Sequence, residues 1–212
     1  YTNISLAAYF QDISPRDGWA DRRFTKTSEE IHDFLTSIGK NAGRIYYTPG
    51  AVNPTHWNAT WCGDGSAIPT ELLRSSGFAW DGDSADITDA LEDGTLILNH
   101  RDHGARWGWG DPRYTTTDVK NLANGDLLPV VFSINCQTAW FDHETDHYTG
   151  TTTESFCEEF LRNPNGGAVG TIGASRVSYS GYNDFLTRGF YDSLWPSFDN
   201  SVGTNASYPE LG

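Results

Sequence analysis

Thr95-Leu96-Ile97-Leu98-Asn99-His100-Arg101-Asp102-His103-Gly104, taken together with Leu128-Pro129-Val130-Val131-Phe132-Ser133-Ile134-Asn135-Cys136, decides how the rest of the chain is read. The runs 95–99 and 128–134 have the length and apolar composition of strands buried on both faces. Between them, Thr116-Thr117-Asp118-Val119 to Leu122 reads as a helix that ends around Asn124-Gly125. Strand, helix and strand in this order make a parallel crossover unit. His103 follows one strand and Cys136 the next, so the crossover sets an imidazole and a thiol side by side.

A thiol is a nucleophile only as thiolate, and a neighbouring imidazole can take its proton. Gly104 lets the backbone approach a substrate closely, and the amides after His-Gly and at the cysteine can bind a developing oxyanion. The competing reading makes Cys136 an ordinary buried thiol and His103 a loop histidine. The joint pattern of two strand ends, a glycine after the histidine and Asn135 before the cysteine favours chemistry.

Outward from this stretch, residues 5–11 read as a first buried strand ending at Asp12, and Arg44 to Thr48 as a second. Thr27 and Glu30 form a helix-start pattern ahead of Ile31, Phe34, Leu35 and Ile38, closed by Gly39. Residues 49–82 lack a period and read as an insertion with one short helix near 70–74. A short helix over 86–91 precedes Gly94, and an amphipathic helix covers 154–161. A small-residue strand spans 167–174, and a last helix over 181–195 carries Phe185, Leu186, Phe190 and Leu194 on one face. Alternating strands and helices predict an α/β fold with a mostly parallel sheet covered on both faces, whose ligands bind past the carboxyl ends of the strands. Asp12, His103 and Cys136 all fall on that edge.

The net charge of −14, with three lysines against eleven arginines, excludes the basic face that a nucleic acid or an anionic membrane requires. No run is long enough to span a membrane. Cys62, Cys136 and Cys157 make neither a disulfide framework nor a paired metal signature, and Cys62 and Cys157 are left either paired or free. Glycosylation sequons at Asn3, Asn58 and Asn205 suit a secreted glycoprotein. A start at Tyr1 reads as a processed piece, with an upstream domain or larger assembly from the same precursor as an expected partner.

His103-Gly104 with the following Trp107-Gly-Trp-Gly-Asp-Pro112, the run ending in Ser-Ile-Asn-Cys136, and Gly167-Ala-Val-Gly-Thr-Ile-Gly-Ala-Ser175 resemble the catalytic domain of the gingipain family of cysteine peptidases, relatives of the caspases. The resemblance runs from about Ser5 to Leu194. It implies a three-layer α/β/α sandwich, with residues 1–200 as the peptidase domain and 201–212 as a tail or linker. It also implies a secreted or cell-surface endopeptidase acting on protein or peptide substrates without a required cofactor. His103 matches the catalytic histidine, Cys136 the nucleophile, and Asp12 the acidic residue that orients the histidine. The amides of Gly104 and Cys136 match the oxyanion hole. In arginine-specific members an aspartate after the first strand sits in the specificity pocket. The corresponding region here is Asp17 to Arg23, with Arg22 and Arg23 near the matching position, so basic-residue specificity does not carry over. Tyr179 is the nearest candidate for a pocket aromatic.

Three other readings compete. His143-Glu144-Thr145-Asp146-His147 has the spacing of a zinc-peptidase helix, but Asp142, Thr145 and Asp146 around the ligands favour a solvated acidic loop. Asp81, Asp83 and Asp86 can offer oxygens to a structural calcium, against an ordinary turn role. Trp57, Trp61, Trp107, Trp109 and Trp140 can line a groove or simply pack. A non-enzymatic module that kept the fold is a further alternative to these three.

Overall fold

In the computed structural model, which describes residues 2–60, 62–142 and 154–199, strands β1 (Asn3–Tyr9), β2 (Asn41–Tyr47), β3 (Ile97–Arg101), β7 (Val130–Ile134) and β8 (Gly170–Gly173) form one sheet. Their order is β2-β1-β3-β7-β8, and every pairing is parallel. Parallel strands need covered faces, and the apolar runs in β1, β3 and β7 supply side chains to both. Ile4, Leu6 and Ala8 of β1 point into one core with Ile97, Phe132 and Ile134. Ala7, Leu98 and Val131, of opposite parity, point into a second.

Helices α1 (Phe24–Ser37) and α5 (Ser180–Leu194) cover the first face, donating Ile31, Leu35 and Tyr191. Helices α2 (Ser84–Glu92), α3 (Thr116–Asn121) and α4 (Phe156–Arg162) cover the other with Ile87, Leu91, Val119, Phe156 and Phe160. The three-layer α/β/α sandwich expected from the sequence is therefore present. Each of α2, α3 and α4 starts on a capping box that satisfies its first amides: Asp83 with Asp86, Thr115 with Asp118, Ser155 with Glu158. Two of the three candidate calcium aspartates thus serve a helix N-terminus, and Asp81 makes an isolated bridge to Tyr47.

Several boundaries differ from the expectation. Helix α1 begins at Phe24 without a side-chain cap, and the Thr27 hydroxyl instead donates to Asp184 at 3.1 Å. Long-range packing replaces the local cap there. The expected apolar face of α5 is only half right. Phe190 and Leu194 pack on the core, but Phe185 and Leu186 are exposed while Asp184, Thr187 and Tyr191 are buried. The insertion 49–82 holds two single 3-10 turns, Thr70–Leu72 and Arg74–Ser76. After His103 the chain makes a small antiparallel sheet of two-residue strands, β4 (Gly104–Ala105), β5 (Gly108–Trp109) and β6 (Tyr114–Thr115).

Among the tryptophans, Trp109 and Trp57 are core residues and Trp107 is exposed under the Arg113 guanidinium. Trp61, the His143–His147 motif, the Asn205 sequon and the 201–212 tail lie outside the described residues. Asn58 is buried, so its amide is not presented to solvent. All three cysteines are free, Cys157 in the core and Cys62 exposed. Among the described residues no helix is long and apolar enough to cross a membrane.

Candidate active site

Arg101 of β3 is in register with Ile134 of β7 on one side and with Ala8 of β1 on the other. Two positions further along each strand lie His103, Cys136 and Phe10, so base and thiol leave adjacent strands at the same level of the carboxyl edge. The sequence offset between His103 and Cys136 equals that between every registered pair of β3 and β7.

Turns at both strand ends are locked by buried polar contacts. His100, still on β3, stacks on Trp109 with ring centroids 4.1 Å apart, lies 3.1 Å from the Asp111 carbonyl through Nε2 and 2.8 Å from Asn135 Nδ2 through Nδ1. Asn135 donates there, so Nδ1 accepts and Nε2 carries the proton. Burial holds this imidazole neutral, down to about 3. The Asn135 Oδ1 accepts from Thr138 at 2.9 Å and from Ser133 at 3.3 Å, and Trp109 Nε1 donates to Ser133 at 2.7 Å. Asn135 thereby fixes the chain just ahead of the thiol. Gln137, just after it, sits in the left-handed region at φ 60°, which sharpens the turn.

Gly104 explains the His-Gly pair in this fold. A Cβ there would lie 2.4 Å from Asn135 Oδ1 and 2.9 Å from the Cys136 carbonyl oxygen. Only glycine allows the β4 backbone to press against the Asn135 side chain and the Cys136 carbonyl. Asp102, between β3 and His103, is buried and accepts from the Asp111 amide at 2.7 Å. Burial raises its carboxyl to about 8.

His103 Nε2 lies 2.6 Å from Gln11 Oε1. The amide nitrogen of Gln11 faces the Asp21 carboxylate at 3.4 Å, and Asp21 can only accept. Gln11 therefore turns its oxygen to the imidazole, Nε2 holds the proton and Nδ1 keeps the free lone pair. Desolvation and the nearby Arg22 charge lower the His103 pKa, against a smaller opposing effect of Asp111, which favours the neutral base. Phe24 meets the ring edge-on at 5.5 Å.

Asp12, expected on this histidine, turns elsewhere: its Oδ2 accepts from the Gly18 amide at 2.8 Å and holds the loop that follows. Neighbouring residues of an extended chain face opposite ways, so a chain that directs Gln11 at the imidazole directs Asp12 away. The orienting group in this geometry is an amide, one position earlier than the carboxylate read from the sequence.

Cys136 Sγ donates to the Ser178 carbonyl at 3.3 Å and lies 3.5 Å from the Ser178 amide. The Ser178 hydroxyl in turn donates to the Asn135 carbonyl at 2.9 Å and accepts from Asn183 at 2.8 Å. The segment after β8 thus rests on the thiol, a contact the sequence reading missed because it joins residues far apart in the chain. Beyond Ser178 opens a cavity of about 540 Å³, walled in part by Arg22, Arg23, Tyr179, Tyr182, Phe185 and Arg188. Tyr179, the expected pocket aromatic, is one of its walls.

Among relatives, gingipain R2 of Porphyromonas gingivalis is 38% identical over 50 residues, 24% of this chain and 7% of its own length. Lys-gingipain of the same organism is 32% identical over 118 residues, 56% of this chain and 6% of its own length. The chain therefore spans a small part of the curated relatives it matches. The solved structure of the Arg-specific cysteine proteinase gingipain R superposes with TM-score 0.64 at 20% identity, over 95% of this chain and 38% of that one. A complex of pro- and mature domains of a Porphyromonas gingivalis gingipain gives 0.61 at 20%, over 91% and 37%. Likeness at that identity concerns the fold. The profile of peptidase family C25 matches residues 3–211, and this chain belongs to that family.

Proposed function

We propose that the chain is a cysteine peptidase domain in which Cys136 attacks the scissile carbonyl and His103 manages the proton. The observation that carries this reading is the shared register: base and thiol stand two positions past a paired position on neighbouring parallel strands. The Cys136 proton passes to His103 Nδ1, and the thiolate sulfur bonds to the carbonyl carbon. The C–N bond then breaks, with the His103 proton going to the leaving amine. Water next attacks the thioester, His103 takes a proton from that water, and it returns one to the departing sulfur.

Amides of Gly104 and Cys136 serve the oxyanion, a role that the close approach of β4 to the Asn135 side chain and the Cys136 carbonyl supports by keeping the two residues together. Gln11 holds the imidazole in the tautomer that leaves Nδ1 free. In its resting contact the thiol is bonded to Ser178, so substrate has to draw it from that carbonyl toward His103. Secretion or surface display fits the acidic composition. An upstream pro-segment as partner fits the gingipain complex of pro- and mature domains.

The test is hydrolysis of a peptide library by the wild type and by Cys136→Ala and His103→Ala, with labelling by an electrophilic thiol probe. Both variants are expected to lose cleavage, and Cys136→Ala also to lose the label. Full cleavage by Cys136→Ala overturns the reading, and cleavage that stops with a chelator but ignores thiol reagents turns it toward metal chemistry.

A further inference from the structure

We propose that the cavity beside Cys136 receives an acidic side chain, aspartate or glutamate, on the residue whose carbonyl is attacked, with Arg22 as its counter-charge. The proposal rests on Cys136 being the nucleophile.

Position comes first. One wall begins at Tyr179, next to the Ser178 carbonyl that holds the thiol. Arg22 also lines the cavity, and its charge acts on the His103 imidazole. A side chain on the acylating residue has to lie within a few bonds of the sulfur, and the cavity that starts at Tyr179, one residue past the Ser178 contact with the thiol, offers room for it.

Charge decides what fits there. Arg22, Arg23 and Arg188 are three cations in the wall of a protein with a net charge of −14. Two are already neutralised: Arg23 pairs with Glu30 at 3.0 Å and Arg188 with Asp199 at 2.6 Å. Asp184, the one wall carboxylate among the described residues, is bound to the buried Arg101 guanidinium. Arg22 alone meets no carboxylate at ion-pair distance among the described residues, and its Nη1 donates to a backbone carbonyl, that of Asp21, at 3.1 Å. Among the described residues, a lysine or arginine side chain entering here meets an uncompensated like charge and no free carboxylate. An aspartate or glutamate completes a charge-assisted bidentate pair.

Tyr179, Tyr182 and Phe185, 69%, 77% and 55% exposed, line the same cavity with rings outside the core. They can cover the methylenes of a bound side chain and shield the pair from water, which strengthens it.

Peptidyl-coumarin substrates that differ only in the residue before the coumarin separate the acyl side from the leaving side. Wild type is expected to favour Asp and Glu over Asn, Gln, Lys and Arg. Arg22→Ala is expected to lower kcat/KM for Asp by about 10- to 100-fold while leaving Asn within a few-fold. Arg22→Glu is expected to shift preference toward Lys and Arg. Preference for Lys or Arg in the wild type, or equal loss for Asp and Asn in Arg22→Ala, overturns the proposal while leaving the thiol mechanism standing. Calorimetric binding to Cys136→Ala of product-like peptides ending in Asp or in Lys reads the pocket without turnover. Tighter binding of the Asp peptide supports the assignment, and equal or reversed affinity overturns it. An inactive wild type whose Cys136 resists the thiol probe removes the nucleophile, and with it the foundation of this proposal.

Discussion

At the scale of single residues, Gln11 occupies a place where a carboxylate was expected, and the difference is chemical. A carboxylate beside Nε2 would favour the imidazolium, whereas the amide oxygen accepts the Nε2 proton without adding charge. His103 is thus kept as a neutral base, in the same direction as desolvation and Arg22. Gln11→Leu removes the acceptor and releases the ring tautomer, so kcat is expected to fall by about tenfold with KM little changed. Gln11→Glu is expected to restore the bond but raise the His103 pKa, moving the ascending limb of the kcat/KM profile to higher pH. A Gln11→Glu profile that coincides with the wild type's would show that residue 11 merely fills space.

At the scale of elements, the carboxyl edge depends on one buried guanidinium. Arg101 ends β3, donates to the Ile134 carbonyl of β7 at 2.7 Å and to the Ser180 carbonyl at the start of α5 at 3.3 Å, and pairs with Asp184 of α5. It therefore joins the strand that delivers His103, the strand that delivers Cys136 and the helix that walls the cavity. Arg101→Met leaves Asp184 buried and uncompensated, and is expected to cost about 3–5 kcal/mol of unfolding free energy by denaturant titration. Adding Asp184→Leu is expected to recover much of that loss, since no charge then remains buried alone. A double variant no more stable than Arg101→Met would refute that account. The strands themselves were legible from sequence because a two-sided core demands continuous apolar runs. The β4–β6 sheet was not, because two-residue strands are too short to show a period.

At the scale of the whole molecule, two buried groups act on the pH dependence of stability with opposite signs. His100 is held down to about 3, so it contributes stability that is lost as pH falls below its unfolded value near 6.5. Asp102 is raised to about 8, so its contribution is complete in acid and is lost as pH rises from about 4 through 8. The two oppose each other between about 4 and 6.5, and above that the Asp102 contribution is no longer offset by His100. Stability is therefore expected to decline from about pH 6.5 to 8, with a slope of up to about 1.4 kcal/mol per pH unit. Asp102→Asn keeps an oxygen for the Asp111 amide and cannot ionise, so it should flatten this limb. Denaturant midpoints across the range, measured in a Cys136→Ala background to prevent self-cleavage, check it; an unchanged slope would remove Asp102 as the source.

The sequence by itself determined the α/β sandwich, the candidate thiol and base, and the glycine between them. Those features follow from local pattern: apolar runs, turn residues, and a crossover of the right length joining His103 to Cys136. Only the tertiary structure decided that Gln11 and not Asp12 meets the imidazole, because a one-residue change of side in an extended chain is set by what packs around it. Long-range contact alone also set the Ser178 hold on the thiol, the polar buried face of α5, and the charge of Arg22, unmatched among the described residues. An uncompensated cation is a sum over all its neighbours: Arg23 meets Glu30 and Arg188 meets Asp199 within one stretch of chain, while Arg101 meets Asp184 from a distant part of it. No local stretch of sequence contains that sum.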